Sequence, residues 1–248
     1  MRLVAQNVRG FPPMTQAHVR ADIAATAQDA GPAGVILWQE FYRPRYRQAL
    51  RSLGEGWAHY IPDVGKQCPI SWRADRYQLL DAGVEFLHAG HRLITPRQFV
   101  TWVILRDRAT GVEAVFTNRH YLPGAYARGF KPWRKWRVRT WEAANARDAA
   151  LILRFVTQGY PVAGGGDYNV LARVRTPYGP RVGGEGNLFT RWVHYHPPAG
   201  SGVMWLWSVN SDAHVWRHEE DYTDALTPRY SDHAGRRARL RLTPRGVR

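Results

Sequence analysis

Residues 34–40 have the sequence Gly-Val-Ile-Leu-Trp-Gln-Glu, a short apolar run that ends in an acid. A run of this length, rich in β-branched and aromatic residues, predicts a strand that is buried on both faces. Glu40 then stands at the carboxyl-terminal tip of this strand. A rigid sheet holds a side chain at a strand end in fixed geometry, which suits a reactive group.

Polar residues occur at the ends of apolar segments elsewhere in the chain as well. Asn7 follows residues 2–6, His120 follows residues 112–119, Asp167 and Asn169 follow residues 161–164, and Asp232 and His233 directly precede the last predicted strand. Each has an ordinary explanation on its own, since Asn7 could cap a turn, Glu40 could pair with Arg43 and Asp167 could form an Asx turn. Only in combination do they indicate a site.

The predicted elements alternate irregularly between helices and strands. Helices are predicted for residues 16–30, 43–53 and 132–158. Strands are predicted for residues 2–8, 34–40, 57–61, 70–73, 77–87, 99–106, 112–120, 161–164, 203–209 and 238–242, with a hairpin turn at 107–111. Because no regular βαβ repeat is present, we predict the α+β class, with two packed sheets and helices outside. The chain has no long linker, so we predict one domain over residues 1–248.

The charge balance restricts the classes of partner. The 248 residues include 35 Lys and Arg against 20 Asp and Glu, which gives a formal net charge of +15 and a pI near 10.6. Such a surface attracts polyanions, so nucleic acid is the expected partner, and the sequence indicates no stable protein partner. We expect a cytoplasmic location, because no apolar run approaches the roughly 20 residues of a membrane span and the first residues lack a signal-peptide pattern. Cys68 is the single cysteine, which excludes an internal disulfide and a cysteine-rich zinc site.

Five short motifs follow one another along the chain. They are Ala5-Gln6-Asn7-Val8-Arg9-Gly10, Leu37-Trp38-Gln39-Glu40, Thr117-Asn118-Arg119-His120, Gly165-Gly166-Asp167-Tyr168-Asn169 and Ser231-Asp232-His233. In content and order they resemble the motifs of the endonuclease/exonuclease/phosphatase superfamily, which includes deoxyribonuclease I, apurinic endonucleases, sphingomyelinases and inositol phosphatases. The resemblance implies a four-layer αββα sandwich, in which two packed mixed β-sheets are flanked by helices. Residues 69–73 also look like the start of the family's second sheet.

The resemblance further implies a divalent-metal-dependent phosphodiesterase. Its metal ligands would be Glu40, Asn7 and Asp232, and its ion would be Mg²⁺, for which Mn²⁺ can substitute. Its catalytic residues would be His120, Asp167, Asn169 and His233. The histidines would donate hydrogen bonds to phosphate oxygens, and Asn169 would hold the phosphate or its water network. Either Asp167 or His233 would be the base that activates water, and the sequence does not choose between them.

The penultimate predicted strand departs from the family pattern. Many members carry an aspartate there that pairs with the final histidine, but residues 202–208 of this chain, Gly-Val-Met-Trp-Leu-Trp-Ser, contain no acid. We expect Asp212 or Asp224 to take over this role from a nearby loop. Without either, His233 would be less polarised and less suited to act as the base.

Basic and aromatic residues alternate between Phe130 and Arg139. Because Arg and Lys neutralise phosphates and Trp stacks on bases, we predict that this segment binds the substrate. We make the same prediction for Arg73, which lies elsewhere in the chain. The predicted substrate-binding residues are Arg73, Arg134, Lys135 and Arg137. The alternative is an amphipathic helix that buries its tryptophans and exposes a basic face. A second basic cluster, residues 236–241, fits an edge strand whose outer face is protected by charge.

Three functions agree with these features. The first is a Mg²⁺- or Mn²⁺-dependent nuclease that acts on DNA or RNA. The second is a phosphatase, or a phospholipid or sugar-phosphate phosphodiesterase, of the same family, although no amphipathic membrane-docking helix is evident. The third is a non-catalytic nucleic-acid-binding module. Clustered carboxylates argue against the third, because they repel one another without a metal.

Overall fold

The computed structural model describes residues 1–9, 14–90, 95–125, 135–169, 193–195, 204–220 and 235–245. Within these ranges the chain forms two six-stranded β-sheets and three α-helices. Helix α1 (Gln16–Ala30) begins after Thr15, whose hydroxyl accepts a hydrogen bond from the His18 N–H, and ends at Gly31 with a φ of 66°. Helix α2 (Pro44–Leu50) begins with a proline, and helix α3 (Lys135–Thr157) is the longest of the three.

The first sheet contains the first four and the last two of the described strands. Its strands are β1 (Arg2–Asn7), β2 (Gly34–Gln39), β3 (Trp57–Tyr60), β4 (Ile70–Arg73), β11 (His214–Glu220) and β12 (Arg236–Pro244), in the spatial order β11-β12-β1-β2-β4-β3. Strands β1 and β2 are parallel, and the other neighbours are antiparallel. The carboxyl ends of β1 and β2 therefore lie side by side.

The second sheet is formed by the middle of the chain. Its strands are β5 (Tyr77–His88), β6 (Gln98–Asp107), β7 (Glu113–His120), β8 (Val162–Asp167), β9 (Val193–Tyr195) and β10 (Met204–Val209), in the order β5-β6-β7-β8-β10-β9. Strands β7 and β8 are the parallel pair, with His120 opposite Asp167. Their carboxyl ends also lie side by side.

Alternating side chains divide the structure into four layers. Leu3 and Ala5 belong to the core between the two sheets, whereas Val4 packs towards α1 and α2. On the outer face of the second sheet, Val115 packs in one cluster with Phe155 of α3. The predicted α+β four-layer αββα sandwich is confirmed, because each sheet buries one face against the other sheet and the opposite face against helices.

A polar bridge joins the two sheets near the ends of β2 and β7. The Asn118 side chain donates hydrogen bonds to the backbone oxygens of Trp38 at 2.7 Å and Pro69 at 2.9 Å. It also accepts one from the Gln39 side chain at 2.6 Å. All three side-chain hydrogen bonds are buried, so this bridge fixes how the two sheets are aligned.

Two sequence-based expectations about strand placement are wrong, and one strand is not anticipated. Residues 236–241 are not an edge strand, because β12 lies between β1 and β11, and β11 itself is not anticipated. Glu219 of β11 pairs with Arg239 of β12 at 3.3 Å, so part of the basic face is neutralised. Residues 70–73 pair with β2 in the first sheet and do not start the second.

None of the helices in the described ranges is both long and apolar enough to cross a membrane. The longest, α3, carries charged side chains along most of its length.

Replacing Asn118 with Ala should lower the free energy of unfolding by about 3 kcal/mol, because three buried groups lose their partner at once. Urea denaturation measures this change. The matched control is Gln78→Ala on the exposed side of β5, which should change stability by less than about 0.5 kcal/mol. Equal effects of the two substitutions would contradict the role of the bridge.

Candidate active site

Two carboxylates and an imidazole meet where the two sheets end. Glu40 follows the last residue of β2, while His120 and Asp167 are the last residues of β7 and β8. One nitrogen or oxygen atom from each lies within 4.8 Å of the others. This group could hold a metal ion, because carboxylate oxygens and imidazole nitrogens are common metal ligands.

Asn7 connects the two carboxylates across the sheets. Its side-chain amide nitrogen donates to Glu40 Oε1 at 2.9 Å and to Asp167 Oδ2 at 3.0 Å. Asn7 and Asp167 are fully buried, so the hydrogen bond between them is shielded from water. Here Asn7 presents its nitrogen to the acids, and a metal-ligand role for its oxygen would require the amide group to turn over.

Backbone strain occurs on both sides of the cluster. Among the described residues, Glu40 with a φ of 66° and Asn169 with a φ of 53° are the two non-glycine positions at positive φ. Two hydrogen bonds from Arg47 to the backbone oxygens of Phe41 and Tyr42, at 3.0 and 2.8 Å, hold the chain after Glu40. Residues in sparsely populated conformations persist only where the surroundings enforce them, and they concentrate at functional sites.

Asn169 anchors the segment after β8. Its backbone N–H donates to Asp167 Oδ1 at 2.8 Å, and its side-chain nitrogen donates to the Tyr121 backbone oxygen at 2.9 Å. Asn169 is predicted to hold the phosphate or its water network, but its side-chain nitrogen here ties the segments after β7 and β8 together. The hydrogen bonds from the Asn169 N–H and from the Asn7 side chain fix the orientation of Asp167.

His120 faces Asp167 without a direct hydrogen bond. Its Nε2 lies 3.8 Å from Asp167 Oδ2, a gap that a metal ion, a water or a phosphate oxygen could bridge. His120 is only 6% exposed, and its Nδ1 has no hydrogen-bond partner within the described ranges. His88 lies nearby, and burial lowers its pKa to about 4, with His120 and Arg147 adding to the effect.

A buried ion pair supports the ends of β7 and β8 from below. Arg119 donates to Asp148 of α3 at 2.8 Å, and both side chains are completely buried. The Tyr121 hydroxyl also donates to Asp148, at 3.0 Å, and the Arg119 guanidinium lies 4.7 Å from the centre of the Trp207 ring. Because breaking such a pair leaves an uncompensated charge, its geometry resists displacement.

The glycines of the Gly-Gly-Gly-Asp run are explained by this packing. A Cβ atom at Gly166 would overlap the backbone oxygen of Arg119, and one at Gly164 would overlap the Thr117 hydroxyl. Strand β8 can therefore approach β7 closely only without side chains at these positions.

The sequence reasoning did not identify Arg119 or Asp148 as supports. A signal was present, because Asp148 lies on the same helical face as Trp141, Leu151 and Phe155. A charge within an apolar helical stripe indicates a buried, paired group.

The remaining predicted site residues are not all near the cluster. Arg73 is one residue beyond Trp72, which pairs with Val35, so it lies at the far end of β2, about 20 Å from Glu40 by strand rise. It pairs with Asp75 at 3.0 Å, and the structure does not bring it to the cluster.

The other predicted substrate contacts lie at the start of α3. Lys135 is exposed, and Arg137 donates to the Pro123 backbone oxygen at 3.4 Å, in the segment just after His120. Arg134, Asp232, His233 and Asp224 lie outside the described residues. Asp212 follows β10 at the end away from Asp167, since Met204 pairs with Asp167 and Val209 with Val162. It is therefore remote from the cluster and a poor partner for a catalytic histidine there.

Stability should fall as the pH drops from about 6.5 to about 4, and His88 should account for part of the loss. Its pKa is about 4 when folded, against an ordinary value of 6.5, so the unfolded chain binds a proton in this window that the folded chain does not. His88→Asn, which keeps an acceptor for the Gly90 N–H, should reduce the pH-dependent loss by up to about 3 kcal/mol. Urea denaturation across this pH range tests it, with His18→Asn on α1 as control, and an unchanged pH slope in His88→Asn would contradict it.

Comparisons with known proteins agree at the level of fold. No family model matches this chain, and no curated protein sequence matches it either. Among solved structures, an endonuclease/exonuclease/phosphatase from Bacteroides vulgatus is similar at 16% identity, with a TM-score of 0.62 and coverage of 98% of each chain.

Two further solved structures extend this similarity. A mannosyl-6-phosphatase from Bacteroides thetaiotaomicron VPI-5482 has 14% identity and a TM-score of 0.66, with 97% of this chain and 99% of that chain covered. D. rerio TDP2 complexed with a single strand DNA product has 14% identity and a TM-score of 0.59, with 97% and 98% covered. This chain therefore shares the fold of these solved structures, one of which is an endonuclease/exonuclease/phosphatase.

Proposed function

We propose that this protein is a divalent-metal-dependent phosphodiesterase that acts as a nuclease on DNA or RNA. The observation that carries the proposal is the meeting of Glu40, His120 and Asp167 within 4.8 Å at the ends of three strands. Burying acids close together is unfavourable unless a cation or hydrogen bonds offset their repulsion. A catalytic ion would explain why the fold keeps them together.

The donor set suits a hard cation such as Mg²⁺, or Mn²⁺ in its place. Glu40 offers a partly exposed carboxylate and would be the principal ligand, with Asn7 beside it. Asp232 is a further proposed ligand. Arg236 pairs with Ala5, two residues before Asn7, so β12 starts at this same edge and supports the assignment. When bound, the ion would neutralise a phosphate oxygen and the charge that develops on the leaving oxygen.

The chain's own groups would orient the water and the phosphate. Asp167, held by Asn7 and by the Asn169 N–H, would orient the attacking water and accept its proton. His120 would donate a hydrogen bond to a non-bridging phosphate oxygen, and His233 is proposed as a second donor. The fixed position of Asp167 favours it over His233 as the base.

The charge of the chain supports a polyanionic substrate. The formal net charge is +15, and Lys135 and Arg137 open the helix that follows the His120 segment. Cationic surfaces bind nucleic acid largely by releasing the counterions of its phosphates. The similar TDP2 structure contains a single strand DNA product, which agrees with a nucleic-acid substrate.

Asp167→Asn and Glu40→Gln should each reduce Mg²⁺-dependent cleavage of plasmid, single-stranded DNA or RNA by about 10²- to 10⁴-fold. Both changes keep the side-chain shape and remove the charge. Gel assays with Mg²⁺ and with EDTA measure the effect, and Asp75→Asn at the far end of the first sheet is the control. Wild-type protein that cuts none of these substrates, or variants that cut as well as wild type, would refute the nuclease proposal.

A phosphatase, or a phospholipid or sugar-phosphate phosphodiesterase, is the second candidate. The observation that favours it is the similarity to a mannosyl-6-phosphatase along almost the whole chain. A panel of phosphomonoesters, phosphoinositides and sphingomyelin separates the two candidates. Turnover of any of these without nucleic-acid cleavage would favour the second candidate over the first.

Calorimetric titration with Mn²⁺ tests the metal site separately from turnover. Glu40→Gln should weaken Mn²⁺ binding by at least about tenfold, since it replaces an anionic ligand with a neutral one. Asp75→Asn should bind as wild type does. Tight nucleic-acid binding with no detectable Mn²⁺ binding would instead support a non-catalytic binding module.

A further inference from the structure

Three aromatic residues near the candidate active site are together called the strip. The strip consists of Tyr42, Phe99 and Phe86. Tyr42 and Phe86 are each 38% exposed, and Phe99 is half-buried. The rings of Phe86 and Phe99 meet edge to face with their centroids 5.9 Å apart.

Tyr42 is the strip residue closest to Glu40 in the sequence. It is two residues from Glu40, and its backbone N–H donates to the Glu40 backbone oxygen at 2.8 Å. Its hydroxyl lies beside the Gln98 side chain, and burial raises its pKa, with Gln98 opposing the effect and Glu40 and Asp167 adding to it. The hydroxyl end of Tyr42 is therefore turned towards Gln98, while part of the residue remains at the surface.

The strip is supported by rigid structure beneath it. Phe86 and Phe99 are paired on neighbouring strands β5 and β6, so the sheet fixes their spacing. Gly65 packs directly on the Phe99 ring, where a Cβ would approach to 2.8 Å. Rings on a fixed scaffold lose little conformational freedom on binding.

Positive charge borders the same strip. Lys66 and Arg97 are exposed and adjoin Gly65 and Gln98, and neither makes an ion pair with any residue in the described ranges. The Arg147 guanidinium lies over one face of the Phe86 ring, 5.3 Å from its centre. Aromatic faces with neighbouring cations match an unpaired base with its phosphate.

We propose that the strip of Tyr42, Phe99 and Phe86 binds the unpaired bases of a single-stranded nucleic acid and leads its backbone into the active site. This inference rests on the proposed nuclease function and adds the form of the substrate. Bases in a duplex stack on each other and offer no free face to protein rings, whereas those in a single strand do. The neighbouring cations favour a nucleic acid over a purely apolar ligand because they would neutralise its phosphates.

Fluorescence anisotropy in EDTA tests the proposal without turnover, so its failure is distinct from a failure of the nuclease proposal. The full chain is titrated into labelled oligothymidylate, oligouridylate and a DNA duplex of the same length at low salt. The wild type should bind the single strands more tightly than the duplex, and the ratio of the two single-strand affinities separates DNA from RNA. Phe86→Leu should weaken single-strand binding by about tenfold, since it removes the aromatic face but keeps an apolar side chain.

Two controls make the result specific to the ring. Phe86→Tyr keeps the aromatic face and should bind within about twofold of wild type, while Leu153→Ala removes an exposed apolar side chain on α3 and should have no effect. Tighter binding to duplex, or a Phe86→Leu variant that binds as wild type does, would overturn the proposal. The proposal would also be overturned if Phe86→Leu bound anionic phosphatidylserine vesicles less tightly than wild type but bound the single strands equally well. That result would identify the strip as a membrane contact.

Discussion

The hydrogen bonds of Asn118 determine how the two sheets meet, and the site depends on that alignment. Glu40 belongs to the first sheet, whereas His120 and Asp167 belong to the second. A relative shift of the sheets by even one residue, about 3.3 Å, would separate the groups that lie within 4.8 Å of each other. Apolar packing alone is poorly directional, so polar contacts such as those of Asn118 are needed to align one sheet with the other.

Two buried polar systems act on either side of this bridge. Asn7 lies between the acids and joins them directly, while the Arg119–Asp148 pair lies below and ties the second sheet to α3. Both contain charges that are costly to bury alone and stable only when partnered. Displacing any of these polar groups would leave it buried without a partner. The desolvation cost of that state keeps the site in its geometry. Positive φ at Glu40 and Asn169 agrees with a site whose surroundings impose its conformation.

Much of the fold could be predicted because the pattern of apolar and polar residues, and the turn and cap residues that end each element, are local signals. Helix α1 and strand β4 have the predicted bounds, and the turn at residues 107–111 contains the expected hairpin, with Asp107 accepting from the Ala109 N–H. Strand β11 was not predicted, since His214–Glu220 is largely polar and exposes one face. The arginines of β12 indicate a solvated face and so predict an edge strand. That interpretation does not include Glu219, which lies earlier in the chain on the neighbouring strand β11 and pairs with Arg239.

The sequence by itself determined the kinds of groups in the site, their order and their attachment to strand ends, because motif spacing and apolar periodicity are properties of the linear chain. It also determined the net charge, which depends on composition alone. Only the tertiary structure decided which groups meet. Arg73 is remote from Glu40 and Arg119 is buried, although both are arginines close to a motif, since sheet pairing controls distance and packing controls solvent access. These are long-range contacts, and no local pattern of residues contains them.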